Sequence, residues 1–599
     1  MRPVNRCRSH LWSYHKTKTP KGKYIGMTFL RMLKSGRHRL PILVACVICL
    51  HFLYMYWRSE DVSVLHDLND GHSGKQTNRK PRDAKAVHSY LAFFEDIEKY
   101  KPKSDSIKDK YKNDKAPEIF AGVDNVLLNK ELLENVLDIP DATFNELKTL
   151  HKKYIDEHMS KLLNRYRVST FGNVLEEDIE WKDYHGSSGY LLVGGGQYSW
   201  LSYLVIRQIR DVGSTLPIEL FIPSEEEYEA DFCEKVLPQF NARCITLDKK
   251  VLSYMNARIK AGAFQFKMLA LLRCSFENVI YVDSDNFPSR NPEYLLESVL
   301  YKESQLIIWP DAWARTTNPK FYEIAGVDVK ENKIRYCDYD RKQSKEQGLT
   351  DAKPFSQYTF KDTWYHTFEG TLPDPTSEAG MFIVNKTNQL KTLLLCFYYN
   401  LFGPDYYYPL MTQGSAGEGD KETFIAAAHV MNQPWHQTIK GFKWTGYISE
   451  SDGQFKSKAL SHYDPIQSLA KQDEPDVLFM HLSYPKYYPN WLYDSSELIY
   501  PDSGHHIRMY EAIYENVGYD VDLRIFQYFV QGSCESYFDP SGRAKDGSTF
   551  FSTEYMGPYL SYIAGQKDIQ KKRCDEVFMP HLTWLKETTK YPNTVITNS

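Results

Sequence analysis

The chain has 599 residues, of which 42% are hydrophobic and 25% charged, so it can bury more than one domain-sized core. Its 32 glycines and 29 prolines are too few for a collagen-like or low-complexity protein. The net charge of -4 conceals an asymmetry, because residues 1–39 carry eleven Lys or Arg and no Asp or Glu, while the remainder sums to -15. An acidic main body argues against a nucleic-acid-binding protein.

An uncharged stretch follows the basic arm. It runs over residues 40–57 (LPILVACVICLHFLYMYW), and eighteen residues are just enough for a helix to cross the hydrocarbon core. Its aromatic end suits the headgroup boundary, and the basic arm before it places the N-terminus on the cytosolic side. The following WRSEDVS offers no small-residue cleavage pattern, which favours a retained signal anchor over a cleaved signal peptide. We therefore predict a single-pass membrane protein with its main body across the membrane.

The rest of the chain divides into a spacer and a folded part. Residues 58–117 are dense in Lys, Asp, Ser, Asn and Gln, with one local helical pattern at residues 89–100. Such a composition predicts a mostly solvated stem. Residues 118–599 are predicted to form the folded domain, with helices up to about residue 165 and further extensions at the C-terminal end.

Seven of the ten cysteines lie beyond the uncharged stretch. No C-x-x-C pair occurs among them, which makes a thiolate zinc site improbable. Cys274 and Cys396 lie in apolar helical patterns and are predicted to be small core residues. In an oxidising compartment the expected disulfides are Cys233 with Cys244 and Cys534 with Cys574.

The hydrophobic period changes near residue 190. A short apolar run at residues 190–193 is followed by three glycines, a helical pattern at residues 199–213 and a second apolar run at residues 218–223. This order is typical of a βαβ unit, and another strand pattern follows at residues 278–282. The sequence therefore predicts an α/β fold with a mixed, mainly parallel sheet, whose ligands bind outside the carboxyl ends of the strands.

Two carboxylates follow the strand pattern at residues 278–282. Asp283 and Asp285 are separated by one residue, and side chains at i and i+2 of an extended chain point to the same side. Both can therefore reach one hard cation, which can in turn hold a diphosphate. A solvated turn is the alternative, and other D-x-D pairs occur in this chain, but the position after a buried strand favours the cation site.

The glycine run after the first strand is a second candidate contact. Gly194, Gly195 and Gly196 allow the backbone to approach a ligand and precede a helix N-terminus, which favours an anion or a nucleotide. The pattern is neither G-x-G-x-x-G nor a P-loop, so it does not indicate a dinucleotide or P-loop site. A simple tight turn is the alternative.

Five segments together resemble one known family. They are residues 264–296, 306–311 (LIIWPD), 377–386 (SEAGMFIVNK), 419–424 (GDKETF) and 479–491 (FMHLSYPKYYPNW). In this order they resemble the fungal Golgi α-mannosyltransferases that decorate mannan, above all the α-1,2-mannosyltransferases that place the first branching mannose on the α-1,6 backbone of N-glycan outer chains. The resemblance covers residues 118–595. It implies a cytoplasmic arm, one membrane span, a stem and a luminal GT-A type catalytic domain.

The resemblance also implies a metal site and a donor. Asp283 and Asp285 match the family's D-x-D, with Asp285 as a metal ligand and Asp283 shared between the metal and the donor ribose. His481 is similar to the histidine that completes the metal site in related retaining enzymes, although a satisfied core histidine is the alternative. An imidazole beside two carboxylates favours Mn²⁺ over Mg²⁺. The implied donor substrate is GDP-mannose.

Four more residues are assigned roles by the same resemblance. Lys486 and Lys267 are expected to face the diphosphate, with a solvated lysine as the alternative for Lys267. Glu378 and Asp420 are expected to lie near the donor sugar as catalytic carboxylates, with helix capping and turn formation as their alternatives. Whether a carboxylate nucleophile or front-side attack operates stays open, because sequence spacing gives no distance to the anomeric carbon.

Aromatic residues near these motifs are candidates for an acceptor groove that binds α-1,6-linked mannan, since rings cover the apolar faces of sugars. They are Trp309, Tyr406, Tyr407, Tyr408 and Trp435. Asn385 begins the one N-glycosylation sequon and follows an apolar strand pattern.

Three alternatives to this function remain at the level of the sequence. The chain is also compatible with a GT-A enzyme that uses a UDP-sugar, with an α-1,3-mannosyltransferase, and with a catalytically silent glycan-binding membrane protein. The intact Asp283, Asp285 and His481 argue against the silent protein. The expected partners are GDP-mannose, mannan and one Golgi membrane, and no nucleic acid.

Overall fold

The computed structural model describes residues 84–120, 126–172, 184–259, 262, 264–348 and 352–594. The basic arm, the predicted span at residues 40–57 and the first part of the predicted stem lie outside the described residues. Among the helices that are described, none combines the length and the apolar character needed to cross a bilayer.

The described strands form a seven-stranded sheet and a four-stranded sheet. In chain order they are β1 (Ser188–Val193), β2 (Ile218–Phe221), β3 (Ala242–Ile245), β4 (Asn278–Val282), β5 (Asn286–Pro288), β6 (Leu306–Pro310), β7 (Ser377–Asn385), β8 (His436–Gln437), β9 (Phe442–Ile448), β10 (Phe455–Tyr463) and β11 (Val477–His481).

The large sheet has the strand order β3-β2-β1-β4-β7-β6-β8. Its strands are parallel from β3 through β4, and β6 and β8 are parallel to each other. β7 runs antiparallel to both of its neighbours, so the sheet is mixed, and the predicted α/β class is confirmed. The order of strands reverses between β1 and β4, and a crevice at such a reversal, beyond the carboxyl ends of the strands, is a preferred ligand site.

The small sheet has the order β5-β11-β10-β9 and is antiparallel throughout. β5 begins directly after Asp285, and Asn286 of β5 lies opposite His481 of β11. The turn that contains both aspartates therefore joins the two sheets, which brings the end of β11 next to the end of β4.

The described α-helices pack on both faces of the large sheet. They are α1 (Ala84–Glu98), α2 (Lys130–Glu134), α3 (Asp141–Lys153), α4 (Gln197–Asp211), α5 (Lys249–Tyr254), α6 (Gln265–Arg273), α7 (Val299–Ser304), α8 (Pro319–Ala325), α9 (Asp338–Glu346), α10 (Leu390–Leu401), α11 (Tyr408–Thr412), α12 (Thr423–Val430), α13 (Pro465–Leu469), α14 (Pro489–Asp494), α15 (Tyr514–Val517), α16 (Val521–Ser533), α17 (Ser561–Ala564), α18 (Lys567–Arg573) and α19 (Met579–Thr588).

Each face of the large sheet has its own hydrophobic core. Leu191 and Tyr281 belong to the core beneath α6, α10 and α12. Ile280 and Val282 belong to the core beneath α4, α16 and α19. Neighbouring residues of one strand thus enter opposite cores, as the two-residue period of a strand requires. The near-continuous apolar runs in the sequence reflect strands that are buried on both sides.

The second half of the predicted stem is part of the folded unit. The compact unit begins at Arg82, and α1 buries Phe93, Phe94 and Ile97 in the core beneath α6 and α10. The boundary at residue 117 is therefore corrected, because these three apolar side chains lie on one side of a helix and are buried. The sequence indicates the helical pattern at residues 89–100, but the polar composition of the sixty residues around it favoured a solvated stem.

Both predicted disulfides are present. Cys233 is bonded to Cys244 and Cys534 to Cys574. Cys274 and Cys396 are free and buried, as predicted for small core residues. Two disulfides in one folded unit agree with an oxidising compartment.

Candidate active site

The turn after β4 carries both aspartates of the D-x-D motif. β4 ends at Val282, and the backbone N–H of Asn286 donates to the carbonyl of Asp283 at 3.0 Å, which closes a turn. The spacing argument assumed that the two aspartates lie on an extended chain. In the structure they lie on a turn instead. The backbone N–H of Asp283 donates to the carbonyl of Gly380 on β7 at 2.7 Å, which fixes the start of the turn against the sheet.

A cavity of about 710 Å³ opens between the ends of β1 and β4. This volume lies within the range of small-molecule sites in proteins, and the position is the reversal in strand order noted above. The predicted site residues that line it are Gly194, Lys267, Asp283, Asp285 and Lys486. The sequence thus identified one wall of this cavity from motifs spread over almost three hundred residues.

Lys267 is a buried cation beside this cavity. Its Nζ lies 2.9 Å from Asp420 Oδ2 and 3.3 Å from Asp283 Oδ2, and it donates to the carbonyl of Ala379 at 2.6 Å. Burial lowers the pKa of Lys267, but the two carboxylates raise it more, so the pKa is above its usual value and the amine is charged. The alternative of a solvated lysine is therefore wrong.

The two aspartates have opposite electrostatic surroundings. Burial raises the pKa of Asp283 to about 6, although Lys267 opposes this. Burial also acts on Asp285, but contact with Lys486 and the proximity of His481 hold its pKa well below the usual range. Asp285 is thus ionised at all physiological pH values, whereas Asp283 lacks a full compensating charge.

His481 at the end of β11 is oriented by Glu378. The Nδ1 of His481 lies 2.9 Å from Glu378 Oε2, and its Nε2 is 3.8 Å from Asp285 Oδ2. The other oxygen of Glu378 accepts the backbone N–H of Gly380 at 2.6 Å. Burial lowers the pKa of His481, but Glu378 and Asp285 together raise it to about 10. The imidazole is therefore held between two carboxylates with its Nε2 towards Asp285.

Glu378 and Asp420, predicted to contact the donor sugar, are not among the residues that line the cavity. Both carboxylates are buried, and each is paired within the protein, Glu378 with His481 and Asp420 with Lys267. A buried carboxylate is costly unless it is paired, which explains why they turn towards these cations. The sequence did not reveal the pairing, since the partners are far apart along the chain.

The carboxylates around the cavity and His481 are the candidate ligands of a divalent cation. Within the described ranges, no three His, Cys, Asp or Glu side chains are grouped as in a metal site. The chemistry nevertheless fits, because Asp283, Asp285, Glu378 and Asp420 face only Lys267 and Lys486 as permanent cations. The raised pKa of His481 adds a third positive charge in the absence of a metal, which leaves a surplus of one negative charge. A divalent cation that binds in place of the His481 proton would bring the net charge of the cluster to zero.

Three further residues position the aspartates. The hydroxyl of Tyr281 donates to Asp283 Oδ1 at 2.5 Å, and the amide of Asn286 donates to Asp285 Oδ1 at 3.3 Å. Gly380 makes room for this amide, because a Cβ on Gly380 would lie 2.2 Å from Asn286 Nδ2. The small residue at position 380 thus accommodates the side chain of Asn286.

The glycine run forms the predicted turn between β1 and α4. Gly196 is the N-cap of α4, and Gly195 and Gly196 have φ values of 101° and 51°, a region that favours glycine. Gly194 lines the cavity, whereas Gly195 and Gly196 face the carboxylate of Glu227.

The aromatic residues predicted for an acceptor groove do not line the cavity. Trp309 and Tyr406–Tyr408 are buried in the two cores, and Trp435 packs against one of them. The aromatic side chains at the cavity are Tyr198, Phe264, Phe266, Tyr281, Tyr488 and Trp491. Asn385 of the sequon is buried, and its amide donates to Asn278 Oδ1 at 2.9 Å, so it is not available for glycosylation in the folded protein.

Comparison with known proteins gives the family. A family model described as "Mannosyltransferase putative" matches residues 187–464, which include β1, both aspartates, Glu378 and Asp420. The α-1,2-mannosyltransferase MNN2 of Candida albicans is 52% identical over 598 residues, covering 94% of this chain and 100% of that protein. The chain belongs to the fungal α-1,2-mannosyltransferase family. It is therefore an enzyme, a glycosyltransferase that transfers mannose.

More distant members of the family share most of the folded unit. The α-1,2-mannosyltransferase MNN5 of Saccharomyces cerevisiae strain S288c is 31% identical over 447 residues, covering 67% of this chain and 73% of that protein. A solved galactosyltransferase, LgtC with donor and acceptor sugar analogs, covers 42% of this chain and 73% of its own, with 10% identity and a TM-score of 0.22. At that TM-score the structural match adds nothing to the family assignment.

Proposed function

We propose that this mannosyltransferase moves mannose from GDP-mannose, in α-1,2 linkage, onto the α-1,6-mannose backbone of N-glycan outer chains, with a divalent cation and retention of configuration. The observation that supports the proposal best is the cavity between β1 and β4. It is lined by Asp283, Asp285 and Lys486, in a chain that belongs to the α-1,2-mannosyltransferase family.

The cation would be held by Asp283, Asp285 and His481, and Mn²⁺ suits two carboxylates and one imidazole. When bound, it would supply the Lewis-acid chemistry that offsets charge on the departing diphosphate. The position of Asp283 and Asp285 at the cavity supports this assignment, and burial raises the pKa of Asp283, so a bound cation would stabilise its ionised form. Lys486, which contacts Asp285, lies at the same wall and can meet a phosphate.

We further propose front-side transfer rather than a carboxylate nucleophile. A nucleophile must reach the anomeric carbon, but Glu378 and Asp420 are committed to His481 and Lys267. In front-side transfer, the bond from mannose C1 to the phosphate oxygen breaks, and the bond from C1 to the acceptor oxygen forms on the same face. The acceptor proton then passes to the departing phosphate. Lys267 keeps Asp283 in place throughout.

The decisive experiment is a transfer assay with residues 82–599, which include the whole compact unit. The protein is supplied with Mn²⁺, unbranched α-1,6-mannan and either GDP-mannose or a UDP-sugar. We expect α-1,2-linked mannose only from GDP-mannose, loss of transfer with EDTA and recovery with added Mn²⁺. Transfer from a UDP-sugar, or mannan binding without any transfer, would support one of the alternatives instead.

The metal assignment has its own variant. Asp285→Asn removes a charge beside His481 and Lys486, so we expect at least a hundred-fold loss of kcat/KM, about 3 kcal/mol of transition-state stabilisation. Asp452→Asn, in the exposed turn between β9 and β10, is the matched control and should keep full activity. Activity of Asp285→Asn at the wild-type level would exclude Asp285 as a ligand.

We also propose that residues 40–57 anchor the enzyme in the Golgi membrane with the folded unit in the lumen. The basic arm before this stretch and the two disulfides of the folded unit support that orientation. In intact Golgi vesicles the folded unit should resist added protease and become sensitive after detergent. Digestion without detergent would contradict the orientation.

A further inference from the structure

The cavity contains one carboxylate that the mechanism above does not use. Glu227 lies on the loop after β2 and lines the same cavity as Gly194, Asp283 and Lys486. Its oxygens face the glycine run, because a Cβ on Gly195 would lie 2.7 Å from Glu227 Oε2 and a Cβ on Gly196 would lie 3.5 Å from Oε1. A side chain at position 195 would crowd the carboxylate, whereas a Cβ at position 196 would make ordinary contact with it, so the glycine at 195 leaves space for Glu227.

Glu227 is free to accept hydrogen bonds from a ligand. Its backbone N–H donates to Ser224 Oγ at 3.2 Å, and the Ser224 hydroxyl lies 3.4 Å from Oε2. In the part of the chain that the structure describes, no basic side chain pairs with it. Burial and the nearby Glu226 and Glu229 raise its pKa, as expected for a carboxylate without a cation.

The position of Glu227 relative to the aspartates matches the length of a nucleotide. In the order β3-β2-β1-β4, the loop after β2 lies two strands away from the turn after β4. Two strand spacings are about 10 Å, comparable to the reach from a diphosphate across a ribose to the far edge of a base. A diphosphate at Asp283 and Asp285 therefore places a base near Glu227.

Exposed aromatic rings lie along the same wall. Tyr198 is 51% exposed and Phe264 is 53% exposed, although both line the cavity. Both rings are therefore accessible to a ligand in the cavity, and every nucleobase has a π face that stacks on such rings. Stacking tolerates any base, so the choice of base must come from a polar group.

We propose that the Glu227 carboxylate selects guanine as the base of the donor nucleotide, accepting hydrogen bonds from N1–H and the 2-amino group. Guanine presents these two donors side by side, which matches the two oxygens of a carboxylate. Uracil offers one N–H between two carbonyls that a carboxylate repels, and adenine has an unprotonated N1. This inference rests on the proposed function, because it takes the cavity as the site of a nucleoside diphosphate sugar.

The test measures the binding of free nucleotides to residues 82–599 in the presence of Mn²⁺ by calorimetry. Inosine diphosphate differs from GDP by the missing 2-amino group, so the wild type should bind it about ten-fold more weakly. Glu227→Gln should weaken GDP binding ten- to a hundred-fold and leave UDP binding unchanged, because the amide turns a donor towards the guanine donors. Selectivity for GDP over UDP should fall by the same factor.

Glu226→Gln is the matched control, since Glu226 is the adjacent exposed carboxylate and does not line the cavity. It should leave all nucleotide affinities unchanged. Glu227→Gln should also raise KM for GDP-mannose while keeping kcat, because base recognition is equal in the ground and transition states. The melting temperature of both variants should equal that of the wild type, since both side chains are exposed.

The outcomes separate this inference from the proposed function. If the wild type transfers mannose from GDP-mannose but Glu227→Gln keeps the wild-type preference for GDP over inosine diphosphate and UDP, the role of Glu227 is overturned and the proposed function stands. If the wild type binds UDP more tightly than GDP and transfers no mannose, both are overturned.

Discussion

Single residues at the site are arranged as carboxylate–cation pairs that share one buried region. Glu378 faces His481, and Asp420 and Asp283 face Lys267; Glu378, Asp420 and Lys267 are buried, whereas His481 and Asp283 are partly exposed. An unpaired charge among the buried groups would cost several kcal/mol, so each partner fixes the position of the other. The residues behind the cavity thereby hold the residues that line it.

Glu378 offers a direct test of this arrangement. Glu378→Gln removes the charge that orients Nδ1 of His481, so we expect a ten- to hundred-fold loss of Mn²⁺ affinity, measured by electron paramagnetic resonance as well as by the Mn²⁺ dependence of transfer. The surface pair Glu450 and His505, with Nδ1 and Oε1 3.0 Å apart, provides the control Glu450→Gln. An unchanged Mn²⁺ affinity in Glu378→Gln would show that Glu378 does not act through His481.

Asp374 gives a pH dependence away from the site. Burial raises its pKa to about 6 from 3.8, although Arg315 opposes this, and its Oδ2 lacks a hydrogen-bond partner among the described residues. The folded state thus binds a proton that the unfolded state has lost between pH 4 and 6. The contribution of Asp374 to stability is present below pH 4 and is lost as the pH rises through 6.

The side chain introduced by Asp374→Asn does not ionise in this pH range. Relative to the wild type, the free energy of unfolding of this variant should increase by about 2 kcal/mol between pH 4 and pH 7, measured by denaturant titration at both values. Asp502→Asn, whose side chain is on an exposed turn, serves as control and should show no such difference. A constant difference between Asp374→Asn and the wild type at both pH values would contradict the prediction.

At the scale of elements, the site depends on the contact of β7 with the turn between β4 and β5. Gly380 of β7 lies against the Asn286 amide, which in turn donates to Asp285. The two sheets therefore meet at a point without room for a methyl group. This close approach explains why the buried strand β7 carries a glycine at position 380.

Gly380→Ala should displace Asn286 and with it Asp285. We expect a loss of kcat/KM of at least ten-fold together with a lower melting temperature, since the new Cβ would also come within 2.9 Å of Glu378 Oε1. Gly441→Ala is the control, because nothing lies within 4 Å of a Cβ there. Full activity of Gly380→Ala would mean that the turn adapts without moving the aspartates.

The strands of the large sheet were largely predictable, and the small sheet was not. β1, β2 and β4 are short apolar runs bounded by turn residues, and the turn before α4 follows from its run of glycines. Both disulfides were predicted too, although Cys534 and Cys574 are 40 residues apart. β5 has three residues and pairs with β11, about two hundred positions away, so no local period predicts it. The apolar pattern of β7 was recognised, but its antiparallel direction was not predicted, because strand direction is set by the path of the chain.

At the scale of the whole molecule, the enzyme needs more of its N-terminal region than composition indicates. α1 buries Phe93, Phe94 and Ile97, and each buried apolar side chain contributes roughly 1.5–3 kcal/mol. A protein that starts at residue 118 lacks all three and exposes the core that they cover.

Residues 118–599 should therefore unfold at a markedly lower temperature than residues 82–599, or aggregate, as measured by calorimetry. In residues 82–599, Phe94→Ala should cost about 3–5 kcal/mol, whereas Glu95→Ala, on the exposed side of α1, should cost less than about 0.5 kcal/mol. Equal stability of the two truncated proteins would show that α1 belongs to the stem and not to the folded unit.

The charge asymmetry between the basic arm and the rest of the chain is a property of the whole molecule. The main body carries -15, and five carboxylates lie at or behind the cavity, so a nucleoside diphosphate approaches an unfavourable field. A divalent cation together with Lys267 and Lys486 would reverse the local sign. Chelation should therefore abolish donor binding as well as transfer.

The sequence by itself determined the family, the α/β class, the glycine turn and the position of both aspartates after a buried strand, because each depends on residues that are neighbours in the chain or on motifs that the family shares. Only the tertiary structure decided that Glu378 and Asp420 hold His481 and Lys267 instead of facing the cavity, and that Glu227 faces it. Glu378 and His481 are 103 residues apart. A buried charge pairs with whichever opposite charge the fold brings within a few ångström, and sequence spacing contains no record of that distance.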